Sequence, residues 1–289
     1  MAINRDDLGK RLLVGAGYVA VMILATFLSL YTTILVISGT AALCCYEFLR
    51  MCRMNGHNPF VGIGTATAGF IPLALVFFAN TSHILFGPLA VAFTGACVAC
   101  WRYFGDPEVA IEDLALTLFG FLYTGLLLCG YVLVRGYLPG FSGGLLGLIL
   151  FVSVCVSDGF AYLGGSAFGR HKFAPKISPK KSWEGVVCGV AGCIAVWMLA
   201  PVLVPECGFG FAWAALVGVL VAGAGIIGDL MESHIKRGFS VKDSGDIMPG
   251  HGGLLDRSDS LIFACVAAYG AIAAAPYAAR ALSMLSGGM

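Results

Sequence analysis

Residues 12–46 read LLVGAGYVAVMILATFLSLYTTILVISGTAALCCY, 35 residues without a charged side chain. Wound as one helix at about 1.5 Å per residue they would reach roughly 52 Å, against a hydrocarbon core of about 30 Å. One span cannot use them all. Two spans with a tight turn near Ser29 to Thr33 can. Arg5, Lys10 and Arg11 ahead of the run imitate the start of a signal peptide, but the run is too long for its apolar region. The rest of the chain continues in kind. Of 289 residues, 59% are hydrophobic and 11% charged, less than half the roughly 25% charge of a soluble domain. Mean hydropathy is +0.90. The chain reads as an all-α integral membrane protein, because the alternating strands of a membrane barrel are absent.

The apolar runs predict about nine transmembrane helices, at about 12–29, 32–49, 62–80, 84–103, 114–134, 144–163, 186–204, 210–228 and 260–282. There is no soluble domain. Residues 1–143 form an N-terminal set of about five spans, and residues 144–289 a second transmembrane region. The longest polar segments are 164–185 and 229–259. With the N-terminus in the cytoplasm, one side collects Arg5, Lys10, Arg11, Arg50, Arg53, Arg102, Arg170, Lys172, Lys176, Lys180, Lys181, Lys236, Arg237, Lys242 and Arg257. Only Arg135 and Arg280 fall opposite. Basic residues mark the cytoplasmic side. Both polar segments therefore face the cytoplasm, and the C-terminus does not. Eleven cysteines lie mostly in apolar runs. Cys97-x-x-Cys100 has no second pair and reads as packing, not as a metal or redox site.

Ser233 to Asp259 is a charged island between two uncharged runs. Lys236, Arg237, Lys242, Asp243, Asp246, His251, Asp256, Arg257 and Asp259 crowd into it, and Pro249, Gly250, Gly252 and Gly253 interrupt any helix. A solvated loop would explain the charges. A phosphate and metal site explains them better: basic side chains for phosphate oxygens, carboxylates for a divalent cation, glycines for close backbone approach. Asp256 and Asp259, three apart, share a helix face, and could equally cap the helix that follows. His251 is either an ordinary hydrogen-bonding residue or, on its pliable glycine turn, a substrate contact, which the turn suits better than core packing. Asp158 lies inside an uncharged span, where a carboxylate is costly unless it is paired or faces a polar cavity. Asp229, at the end of the eighth span, follows the same logic.

The pattern Ser233-x-x-Lys236-Arg237, Lys242-Asp243, His251-Gly252-Gly253-x-x-Asp256-Arg257-x-Asp259 resembles the signature of the phosphatidate cytidylyltransferases, or CDP-diacylglycerol synthases. Met248 and Ser258 depart from that pattern without touching its charges. Ser178-Pro-Lys180-Lys181-Ser182-Trp-Glu184-Gly185 resembles a second segment of that family, and Asp158-x-x-Ala-Tyr162-x-x-Gly165 a third. The resemblance covers about residues 150–260; the first five spans carry no matching motif.

The resemblance implies a membrane nucleotidyltransferase that converts CTP and phosphatidate to CDP-diacylglycerol and pyrophosphate. Its catalytic residues would be Asp158, Lys180, Asp229, Asp243 and Asp256. Substrate would meet Ser178, Lys181, Ser182, Glu184, Ser233, Lys236, Arg237, Lys242, His251, Gly252, Gly253 and Arg257. Asp229, Asp256 and Asp259 would hold Mg²⁺, with room for a second cation. Glu184 also has a plain role at a helix start, where an acid favours the dipole. A basic loop alone would equally meet anionic lipid headgroups. The partners implied are CTP, phosphatidate and membrane lipid, with no nucleic acid, and a homodimer by family analogy. The setting is an inner membrane with the site facing the cytoplasm. Two other functions fit part of the sequence: a CTP-dependent enzyme acting on an isoprenoid lipid or using CTP as a phosphate donor, and an ion-coupled transporter. A transporter usually shows two similar halves, which this chain lacks.

Overall fold

A computed structural model describes residues 5–78, 84–248 and 252–286, with side chains from residue 14 to residue 280. His251 lies outside the described residues. The chain runs α1 (Arg5–Leu28), α2 (Leu30–Met54), α3 (Val61–Leu73), α4 (Leu75–Phe78), α5 (Phe86–Phe104), α6 (Ile111–Phe121), a π-helical turn (Leu122–Leu126), α7 (Leu127–Arg135) and α8 (Gly140–Phe168). A hairpin of β1 (Lys172–Ala174) and β2 (Ser178–Ser182) follows. Then come α9 (Trp183–Trp197), α10 (Ala200–Leu203), α11 (Phe211–Gly238) and α12 (Leu255–Ser286).

Among the described residues, six helical stretches are long and apolar enough to cross a membrane: Leu30–Met54, Ile111–Arg135, Gly140–Phe168, Trp183–Leu203, Phe211–Gly238 and Leu255–Arg280. Val14–Leu28 and Val61–Phe77 are apolar but shorter. The turn expected near Ser29 is a single residue. Ser29 Oγ accepts from Thr32 N at 3.0 Å while Ser29 N donates back to Thr32 Oγ1 at 3.0 Å. This reciprocal cap satisfies two amides at the start of α2. The third expected span is broken instead of continuous: Pro72 sits inside α3, and the helix stops at Ala74 before resuming as α4.

Small residues let the helices approach. A Cβ added to Gly130 of α7 would stand 2.7 Å from the backbone carbon of Cys265 in α12. One at Gly189 of α9 would stand 2.8 Å from the Ser157 carbonyl oxygen of α8. In a bilayer, where burial of apolar surface between helices gains little over lipid, such close packing supplies the attraction. Polar pins add to it: Arg135 Nε donates to the Thr26 carbonyl at 2.6 Å, and the Thr26 and Tyr131 hydroxyls lie 2.8 Å apart. Ser258, one of the two departures from the family pattern, is fully buried with its hydroxyl 3.4 Å from that of Tyr18. All eleven cysteines are free.

The expectation of an all-α chain needs one correction. Part of the 164–185 segment is an antiparallel hairpin, with Lys172 opposite Ser182 and Ala174 opposite Ser178. Two prolines, Pro175 and Pro179, keep it from being helical. Its base is closed by Trp183 N donating to His171 O at 2.9 Å, and Phe173 packs edge-on against Trp183 with centroids 4.6 Å apart.

Candidate active site

The ends of α8, α9, α11 and α12 and the hairpin enclose a cavity of about 610 Å³. Five aspartates line it: Asp158, Asp229, Asp243, Asp256 and Asp259. Four basic side chains face them: Lys180, Lys181, Lys236 and Arg257. Ser157, Ser166, Ser182 and Ser260 add hydroxyls, and Ala161, Tyr162, Val186 and Ile226 form an apolar wall. The three segments singled out in the sequence thus converge on one space.

Five of these charged groups are held by local contacts. Ser182 caps α9, its Oγ accepting from Gly185 N at 3.2 Å. That cap fixes the end of β2, so Lys181 reaches Asp229 of α11, with Nζ 2.5 Å from Oδ2. Ser233, one turn along, donates to Asp229 Oδ1 at 3.3 Å. On the same helix Lys236 pairs with Glu232, which is fully buried, and with Asp256 Oδ1 at 2.6 Å. Asp256 Oδ2 accepts from Ser244 N at 2.9 Å and Gly253 N at 2.8 Å. Asp259 Oδ1 accepts from Ser260 N at 2.6 Å. Gly252 turns with φ of 85°, a left-handed conformation that other residues rarely adopt. A Cβ there would also stand 2.7 Å from Asp256 Oδ2.

Ser178, Glu184, Ser233, Arg237, Lys242, Gly252 and Gly253 are not among the lining residues. Glu184 clasps the hairpin: His171 Nδ1 lies 2.7 Å from Oε1, and His171 N donates to the same carboxylate at 3.2 Å. Two acids with a part in this region went unremarked in the sequence. Glu232 lies between Asp229 and Ser233, is fully buried and pairs with Lys236. Glu47 lies in α2, far from every motif, and reaches the amides of Leu254 and Leu255.

The lining tests whether a cation belongs here. Five carboxylates outnumber the four cationic side chains in the lining, and hard oxygen donors suit a hard divalent cation. The donor chemistry fits. The described residues bring no three His, Cys, Asp or Glu side chains together as a preformed ligand cluster. Asp229 and Asp256 instead spend their charge on Lys181 and Lys236.

The sequence profile of the cytidylyltransferase family matches residues 9–274. The chain belongs to that family. It is 33% identical over 250 residues to a phosphatidate cytidylyltransferase of Synechocystis sp., covering 77% of this chain and 82% of that one. It is 37% identical over 213 residues to phosphatidate cytidylyltransferase 5, chloroplastic, of Arabidopsis thaliana, covering 64% of this chain and 52% of the relative. A phosphatidate cytidylyltransferase of Mycobacterium bovis is 35% identical over 202 residues, 63% of each chain. The chain thus spans about half the length of the plant relative. The family profile reaches the first five helical segments, where the sequence offered no motif.

Proposed function

We propose that this member of the cytidylyltransferase family transfers the cytidylyl group of CTP to phosphatidate, giving CDP-diacylglycerol and pyrophosphate. The observation that carries the reading is a cavity at the ends of apolar helices whose lining combines the basic residues Lys180, Lys181 and Arg257 with the apolar residues Ala161, Val186 and Ile226. A lipid phosphate and a nucleotide triphosphate need such a meeting place. The relatives bearing the phosphatidate cytidylyltransferase name support the choice of substrates.

In the reaction, a phosphate oxygen of phosphatidate attacks the α-phosphorus of CTP. The bond from that phosphorus to the β-phosphate oxygen breaks, and its electron pair leaves with pyrophosphate. The attacking oxygen is already ionised, so no general base is required, and no enzyme nucleophile is used. Two anions must approach, so neutralisation of charge dominates. Lys180, Lys181 and Arg257 meet phosphate oxygens, and Ser182 offers a hydroxyl at the same wall. Asp158 and Asp243 orient the basic side chains. Mg²⁺ held by Asp229, Asp256 and Asp259 would supply the remaining positive charge.

The reading includes nine crossings, with the cavity on the cytoplasmic side of an inner membrane, where CTP is available. The basic residues gathered on that side support it.

The test uses purified protein, phosphatidate and Mg²⁺ with CTP labelled at either the α- or the γ-phosphorus. Label from the α position should enter the lipid fraction and label from the γ position should not. Transfer of γ-label would make the protein a lipid kinase, and no transfer of either would remove the nucleotide from the reading.

A further inference from the structure

Glu47 belongs to no motif, lies outside the cavity lining and is 1% exposed. Its carboxylate ends on a distant part of the chain. Leu254 N donates to Oε1 at 3.0 Å and Leu255 N to Oε2 at 2.8 Å. The Ser244 hydroxyl donates to Oε2 at 3.4 Å. No ion pair among the described residues includes it. A buried carboxylate is tolerated only where its charge is met, and here backbone and hydroxyl donors meet it. The surrounding chain makes room for it. A Cβ on Gly245 would stand 2.6 Å from Oε1, and one on Gly253 2.6 Å from Oε2.

The amides of Leu254 and Leu255 open α12 and have no acceptor within that helix. A negative charge is favourable there. Glu47 therefore caps α12 from a different helix. The next residue is Asp256, which accepts from Ser244 N and Gly253 N. Glu47 and Asp256 thus grip the same backbone from two sides, one facing α2 and the other facing the cavity.

We infer that Glu47 is a positioning residue: its carboxylate fixes Ser244, Gly253 and the start of α12, and through them sets Asp256 and Asp259 in the cavity. The N-terminal helices then do more than fill the membrane; α2 holds the acidic end of the site in register. The inference rests on the proposed reaction only for its kinetic readout.

The test compares full-length Glu47→Gln, Ser244→Ala and Asp113→Asn in lipid. Glutamine keeps the volume and one acceptor, but turns an N–H donor toward a backbone amide. Asp113 is the control: it is also buried, accepts from Asn58 N at 2.7 Å, and does not line the cavity. Two quantities are measured, backbone hydrogen exchange over residues 244–248 and 252–256, and kcat with KM for CTP. In Glu47→Gln, exchange in those segments should rise at least tenfold and kcat fall at least tenfold, while exchange in α8 and α9 holds. Ser244→Ala should move both in the same direction by less, and add little on top of Glu47→Gln. Asp113→Asn should change neither. Wild-type exchange over 244–248 and 252–256 in Glu47→Gln overturns the inference, and so does an equal loss of kcat in Asp113→Asn. If Glu47→Gln does not insert, unchanged exchange and kcat in Ser244→Ala overturn it. If the wild-type protein shows no cytidylyl transfer, exchange alone decides, so failure of the reaction and failure of the positioning role are told apart.

Discussion

Lys181 Nζ and Asp229 Oδ2 lie 2.5 Å apart, joining the hairpin to α11 across the cavity. Both side chains remain partly open to solvent. On the proposed reaction, an arriving phosphate would compete with Asp229 for Lys181, and Asp229 would then be available to a cation. Lysine, a point charge on a flexible stem, suits such an exchange of partners.

That exchange predicts a specific kinetic pattern. Lys180→Ala and Lys181→Ala should each weaken CTP use by about 1.5–3 kcal/mol, the range for a hydrogen bond to a charged group. The loss should appear in KM for CTP at saturating phosphatidate, not in KM for phosphatidate at saturating CTP. Lys181→Ala and Asp229→Asn together should cost less than the two separate losses combined, because the residues act as a pair. Unchanged KM and kcat for CTP in both lysine variants would take the hairpin out of the site.

Asp256 separates a charge role from a capping role. Its carboxylate accepts from Lys236, Ser244 N and Gly253 N. Asp256→Asn keeps the volume and removes the charge. Activity should fall by orders of magnitude in protein that still inserts, with partial recovery at raised Mg²⁺. Chelation of divalent cations should abolish wild-type activity reversibly. Near-normal activity of Asp256→Asn at ordinary Mg²⁺ would leave the residue as a helix cap.

Helix packing gives a prediction about stability. Gly189→Val would drive a side chain into the Ser157 carbonyl on the turn that carries Asp158. Overpacking of this kind costs about 1–3 kcal/mol. Gly270, by contrast, has nothing within 4 Å of an added Cβ. Gly189→Val should lower the thermal midpoint in detergent and reduce activity, and Gly270→Val should do neither. Equal behaviour of the two variants would show that α8 and α9 do not depend on this contact.

What could be read from the sequence depended on how local each signal was. The helices declared themselves through uncharged runs, and Ser29 through the length of the first run. The cavity was legible because Asp158, Lys180, Lys181, Asp229, Asp256 and Asp259 sit in short, unusual patterns. The hairpin was missed because its strands are three and five residues long and one carries a proline, too little for a periodic signal. Glu47 was missed for a different reason. Its partners are backbone amides of residues 254 and 255, and any sequence presents backbone amides. The one hint was a lone acid in an apolar run, between Tyr46 and Phe48. Glu232 left the same faint trace beside louder neighbours.

Topology can be tested without reference to the chemistry. Pro175 lies between the hairpin strands and is exposed; Glu206 follows α10 and is also exposed. The proposed nine crossings put them on opposite sides, Pro175 with the cytoplasmic lysines and Glu206 outside. Cys97 and Cys155 are exposed in the described structure, so both should first be replaced. In intact cells an impermeant thiol reagent should label Glu206→Cys and spare Pro175→Cys, and permeabilisation should expose the latter. Residues 136–139 offer a second outward site through Leu138→Cys, because an odd number of crossings precedes them. Labelling of Pro175→Cys from outside would invert the orientation and move the cavity away from cellular CTP. Labelling of both Glu206→Cys and Pro175→Cys from one side would mean that α9 and α10 do not together cross the bilayer.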